Sequence, residues 1–144
     1  MALFSVGVNI ITHSAPVIQQ SLRLRLPGTI CLGGELILDS QAFIGNLTVS
    51  ALTGLRAQTA FIGASGVSAQ GLYIDRDLEL PTKRAIIAAA ERVVLVATSS
   101  KMNRSALVYL GNFSAIDVLV TDAPLPVDIA DAVRQASVKV VIAT

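Results

Sequence analysis

Lys101 follows Ser99 and Ser100 at the end of the apolar run 93–97, which sets an ammonium group beside two hydroxyls where a strand gives way to a loop. Such a cluster suits an anionic ligand, because a charged donor bonds an anion more strongly than a neutral one. Three other loops carry related chemistry. Thr12-His13-Ser14 joins two hydroxyls and an imidazole just ahead of Ala15-Pro16, where helical amides can receive a phosphate or carboxylate. Gly33-Gly34-Glu35 and Gly63-Ala64-Ser65-Gly66 offer small residues that let a ligand approach the backbone. Glu79, ahead of Leu80-Pro81-Thr82-Lys83-Arg84, can orient a ligand or only complement a helix start. Each motif also has a plain structural reading. Ser and Thr commonly cap helices, paired glycines make sharp turns, and most lysines are simply solvated.

These loops need a frame that brings strand ends together. Apolar periodicity and turn residues predict strands at 8–12, 29–32, 58–62, 92–97, 118–121 and 139–142. Helices are predicted at 15–24, 47–55, 80–90 and 127–136, with Ser14 and Asn46 as caps for the first two and Pro81 in a first turn. Strands alternating with helices imply crossover connections. The expected fold is therefore α/β, a mainly parallel sheet flanked by helices in a single domain, with ligands taken beyond the strand C-termini. The segments 33–43 and 64–77 lack helical periodicity and read as excursions that edge a pocket or an interface. Ala42-Phe43-Ile44-Gly45 is echoed by Ala60-Phe61-Ile62-Gly63, but a repeat array requires about three stacked copies and no third occurs.

Composition narrows the functions. The chain has 144 residues, 53% hydrophobic and 15% charged, which suits a packed domain and not a disordered segment. Lys and Arg number 11 against 10 acidic residues, so there is no excess charge to drive nucleic-acid binding by these residues alone. The longest apolar stretch, 85–97, is interrupted by Glu91-Arg92, so no bilayer span is expected. Met1 to Ser5 lacks a basic start leading into an apolar core, and the expected location is cytoplasmic. The lone Cys31, in an apolar run, is expected to be buried and inert. One His and one Cys do not make a recognisable zinc set, and no metal or cofactor is expected. No P-loop, dinucleotide-binding glycine fingerprint or nucleophile elbow is present.

Taken in order, the motifs resemble the C-terminal effector-sensing domain of DeoR-type bacterial transcriptional regulators. Ile11-Thr12-His13-Ser14 is similar to that family's strand ending in Thr-Asn-Ser, Leu32-Gly33-Gly34-Glu35 to its Gly-Gly strand end, and Phe61-Ile62-Gly63 to its Phe-Ile-Gly segment. Gly71 followed by Glu79-Leu80-Pro81-Thr82-Lys83-Arg84, then Ser99-Ser100-Lys101 and Val120-Thr121-Asp122, continue the series. The departures are His13 for Asn, Gln58 for an Asp before the Phe-Ile-Gly strand, and Thr98 for an Asp before Ser-Ser-Lys.

The resemblance implies a fold related to ribose-5-phosphate isomerase, Rossmann-like, and a domain that senses a phosphorylated sugar or related metabolite. It makes Thr12, His13, Ser14, Gly33, Gly34, Gly63 and Lys101 candidate ligand contacts, to which the reading of the loops adds Ser65 and Glu79. It also implies DNA binding only through a helix-turn-helix region that precedes these residues, as does the family's first strand with its Asp-x-Gly-Thr-Thr phosphate loop; an edge strand left uncovered without that strand needs a partner, so homo-oligomerisation is expected. Two other functions compete. One is a sugar-phosphate isomerase with Glu79 as base, although Ser65 stands where those enzymes place acidic residues. The other is an oligomerisation remnant that binds no effector.

Overall fold

The computed structural model describes residues 7–144, and its backbone contacts cluster into two compact units divided between Leu55 and Arg56. The start at 1–5, read above as lacking a secretory signal, lies outside the described residues.

The first unit is built on β1 (Ile11–Thr12), α1 (Ala15–Leu24), β2 (Ile30–Cys31), β3 (Glu35–Ile37), β4 (Ala42–Ile44) and α2 (Asn46–Thr53). β1 and β2 pair in parallel, Ile11 with Ile30 and Thr12 with Cys31, after the α1 crossover. The α1 boundaries match the periodicity. Pro16 sits in its first turn, where a missing N–H costs nothing, and Arg25 in a left-handed conformation closes its end. Ser14 occupies the N-cap position but makes no side-chain capping bond; its backbone N–H instead meets the Thr12 hydroxyl at 3.1 Å.

The excursion at 33–43 is largely a hairpin, β3 antiparallel to β4 with Glu35 opposite Ile44. Its returning strand pins the end of β1, because the Phe43 N–H donates to the His13 carbonyl at 2.8 Å and Ser14 bridges Ala42. Asn46 is not the cap of α2 but its first residue; Gly45 is the N-cap. Cys31 is exposed, contrary to the buried thiol expected, since β2 is only two residues long and has β1 as its sheet partner.

The second unit holds a four-stranded parallel sheet in the order β11 (Lys139–Ile142), β10 (Val118–Thr121), β8 (Ala90–Val96), β5 (Ala57–Ile62). Its helices are α3 (Leu80–Ala89), leading into β8, and α4 (Val127–Gln135), between β10 and β11. In β8 three successive residues, Val93, Val94 and Leu95, are buried, the signature of a strand covered on both faces. Leu95, Leu119 and Ile129 are completely buried at the centre of the core, with Ile129 and Val133 one helical turn apart on the inner stripe of α4.

The excursion at 64–77 forms β6 (Gly66–Ser68) and β7 (Gly71–Ile74), which join β9 (Val108–Gly111) in a three-stranded antiparallel sheet. Their inner residues Val67, Leu72 and Ile74 enter the same core as Leu95 and Leu119. Arg84 of α3 bonds the carbonyls of Leu110 and Tyr109 in β9 at 3.4 and 3.5 Å, so that guanidinium serves the packing of the small sheet.

Candidate functional site

In the second unit three parallel strands end side by side, at Ile62, Val96 and Thr121, and the loops that leave them carry the polar groups. After β8 the chain passes Ala97 and Thr98 into a single 3-10 turn, Ser99–Lys101. After β10 comes Asp122, whose carboxylate accepts the Ser99 backbone N–H at 2.6 Å. That bond, assisted by the Ser99 hydroxyl, holds the Asp122 carboxyl below its ordinary value against the smaller opposing effect of desolvation. The hydroxyls of Thr98 and Ser100 lie 2.7 Å apart, and the Lys101 N–H donates to the Thr98 carbonyl at 3.0 Å. Lys101 is thereby carried on a turn fixed at both ends, half-buried at the C-terminal edge of the sheet.

Strand β6, which follows the loop after β5, lies against the end of that turn. Met102 bridges Val67, and the Asn103 N–H donates to the Val67 carbonyl at 2.7 Å. At the other end of the loop, Gly63 has open space where a side chain would stand, and its carbonyl accepts the Lys83 ammonium at 3.2 Å. Burial pushes the Lys83 pKa down from its ordinary value, and the Glu79 carboxylate one helical turn earlier pushes it back up. The Ser65 N–H is spent on the Tyr73 carbonyl at 2.9 Å, so this amide belongs to the β6–β7 hairpin and is not a donor for a ligand.

Among the sequence candidates, Gly63, Ser65, Glu79 and Lys101 therefore belong to the second unit. The remaining five belong to the first, where β1 and β2 end together. The Leu32 N–H donates to the Thr12 carbonyl at 2.8 Å, which sets Thr12-His13-Ser14 beside Gly33-Gly34. Here packing already accounts for much of the sequence. The Thr48 hydroxyl donates to the Gly33 carbonyl at 2.5 Å, Gly34 has φ +142°, and a Cβ on Gly34 would stand 2.6 Å from the Ile44 carbonyl oxygen and against the Thr48 hydroxyl.

Sequence reasoning did not single out Lys83 and Asp122, which the structure sets at the Gly63 carbonyl and at the Ser99–Lys101 turn. Their signals were present: Asp122 follows a strand at once, and Lys83 lies four residues after Glu79, the spacing that joins opposite charges on a helix. Among the described residues no three His, Cys, Asp or Glu side chains come together as a metal site, and no helix is long and apolar enough to cross a membrane.

Parallel strand ends with small-residue and cationic loops mark the C-terminal edge of an α/β sheet, and the chain matches the DeoR C terminal sensor domain over residues 2–123. It belongs to that family. It is 38% identical over 101 residues to the glycerol-3-phosphate regulon repressor of Escherichia coli, covering 69% of this chain and 40% of that protein. It is 30% identical over 99 residues to the L-fucose operon activator of Haemophilus influenzae, 68% of this chain and 40% of that one. A third relative, the HTH-type transcriptional repressor GlcR of Bacillus subtilis, is 29% identical over 91 residues, 63% of this chain and 35% of that protein. The chain thus spans about two-fifths of the length of such relatives.

Proposed function

We propose that this chain binds a phosphorylated sugar or related metabolite and serves as the effector-sensing part of a cytoplasmic, homo-oligomeric transcriptional regulator. DNA is reached only through a helix-turn-helix region outside these residues. It works without cofactor or catalysis. The observation that carries this reading is Lys101 on a turn locked by Asp122 at the C-terminal edge of a parallel sheet, the place where such sheets take ligands. Its ammonium pairs with the phosphate, and the open Gly63 loop admits the rest of the molecule. Thr12, His13, Ser14, Gly33, Gly34, Ser65 and Glu79 are retained as further candidate contacts, with Ser65 acting through its hydroxyl.

Two observations speak against an isomerase. Glu79, the only base that reading offers, acts electrostatically on Lys83, and the relatives named above are regulators by name.

Thermal unfolding against a panel of sugar phosphates, each paired with its unphosphorylated parent, tests the proposal. A ligand at 100 times its Kd stabilises the chain by about 2.7 kcal/mol, a rise of several degrees. Lys101→Ala is expected to abolish the shift produced by the phosphorylated member of a pair. An equal shift in that variant removes Lys101 from the site.

A further inference from the structure

We propose that Lys83 is a second effector-binding cation, and that Lys83 and Lys101 together select a dianionic phosphomonoester over a monoanionic ester of the same shape. The inference rests on the sensor reading above and goes beyond it in naming a recognition residue and the charge state recognised.

The backbone ties both lysines to one short segment, residues 63–67, which runs from the β5 loop into β6. Lys83 bonds the Gly63 carbonyl at 3.2 Å where β5 ends, and Lys101 immediately precedes Met102, which bridges Val67. Gly63 and Val67 are four residues apart, a span of at most about 14 Å even fully extended. Ile62 pairs with Leu95, so Gly63 lies level with Val96, two residues before Thr98. Neighbouring strands run about 4.8 Å apart, which keeps the β5 and β8 loops adjacent.

A purely structural role leaves several facts without a reason. The ammonium of Lys83 has three donors, and the Gly63 carbonyl takes one of them. That carbonyl belongs to an exposed residue that water can serve equally well. Keeping a lysine half-buried there costs desolvation, as its lowered pKa shows. Arg84, the next residue, is the contrast, since it bonds two carbonyls of β9 and has a plain packing role. A phosphomonoester carries a charge of roughly −1.5 to −2 at neutral pH. Lys101 alone leaves much of that charge uncompensated, and Lys83, whose charge Glu79 offsets in part, supplies more of the match.

The test measures binding of glycerol 3-phosphate, glucose 6-phosphate and fucose 1-phosphate, each beside its sulfate ester, at pH 7.5. There the phosphates are mainly dianions and the sulfates monoanions. The unmodified chain is expected to prefer one phosphate to its sulfate by at least tenfold. Lys83→Met should bring that ratio close to one by weakening the phosphate alone, and Lys83→Arg should retain most of the preference. Unfolding temperatures without ligand establish that both variants are folded, with Lys83→Gln as substitute if the Met variant is not. Equal weakening of both esters makes Lys83 a support for the Gly63 loop and overturns the proposal, as does unchanged phosphate binding. If the unmodified chain binds none of these esters, the sensor reading falls first and this assignment falls with it.

Discussion

Gly34, just after β2, and Gly63, just after β5, close comparable strand ends, yet a methyl group on Gly34 would strike the Ile44 carbonyl while one on Gly63 would meet nothing within 4 Å. In the first unit the loop is closed on itself: the Thr48 hydroxyl holds Gly33, and the backbone at Gly34 takes a conformation that side chains disfavour. In the second unit the loop is open, with a lysine at its carbonyl and a second lysine on the adjoining turn. Two glycine loops that look equivalent in sequence thus have different causes. Packing explains Gly34, whereas Gly63, like Gly33, faces open space, and the proposed ligand gives Gly63 a reason that packing does not.

The contrast is broken or upheld most directly by Gly34→Ala set against Gly63→Ala. The first combines left-region backbone strain with a clash against fixed backbone and should cost about 3 kcal/mol of stability or more. The second should change stability by less than about 0.5 kcal/mol while impairing effector binding. Urea denaturation gives both values. Similar costs at the two positions would show that the Gly63 loop is as tightly packed as its counterpart.

Thr48→Val probes the same closed loop more gently. The Thr48 hydroxyl is completely buried and donates to Gly33, so removing it should cost about 1 kcal/mol, the usual net worth of such a bond. Effector affinity should stay unchanged if the first-unit loop is structural. A large loss of affinity with intact stability would instead move Gly33 into the ligand site.

Much of this architecture was legible because its signals are local. The boundaries of α1, β10 and β11 fall where periodicity puts them, with Pro16 opening the helix and short apolar runs marking the strands. The small antiparallel sheet was not legible, since β9 pairs with β7 from more than thirty residues away, a partnership that no local pattern records. The repeated tetrapeptide shows the same limit. Ala42 and Ile44 are buried, as are Ala60 and Ile62, because alternation is a local property. Yet the first copy pairs antiparallel with β3 and the second parallel with β8, a difference made by distant partners. Within the site, Lys101 could be read from the loop after its strand, whereas the Asp122 bond to Ser99 spans 23 residues.

That bond supplies the smallest expected effect and the sharpest test of whether the second-unit turn is held in place before ligand arrives. Asp122 has its pKa lowered in the folded chain, chiefly by the Ser99 backbone N–H, so folding favours its charged form. Its contribution is therefore fully present above the unfolded value, at about pH 4, and fades as the pH falls through the lower folded value. Asp122→Asn should lower the unfolding temperature modestly at pH 7, and the gap from the unmodified chain should shrink toward zero in strong acid. Because Asp122 is exposed, the loss should show less in stability than in effector affinity, which depends on the Ser99–Lys101 turn staying fixed. An affinity that survives the substitution would mean that Lys101 is positioned without Asp122, leaving the Met102–Val67 bridge as the restraint that matters.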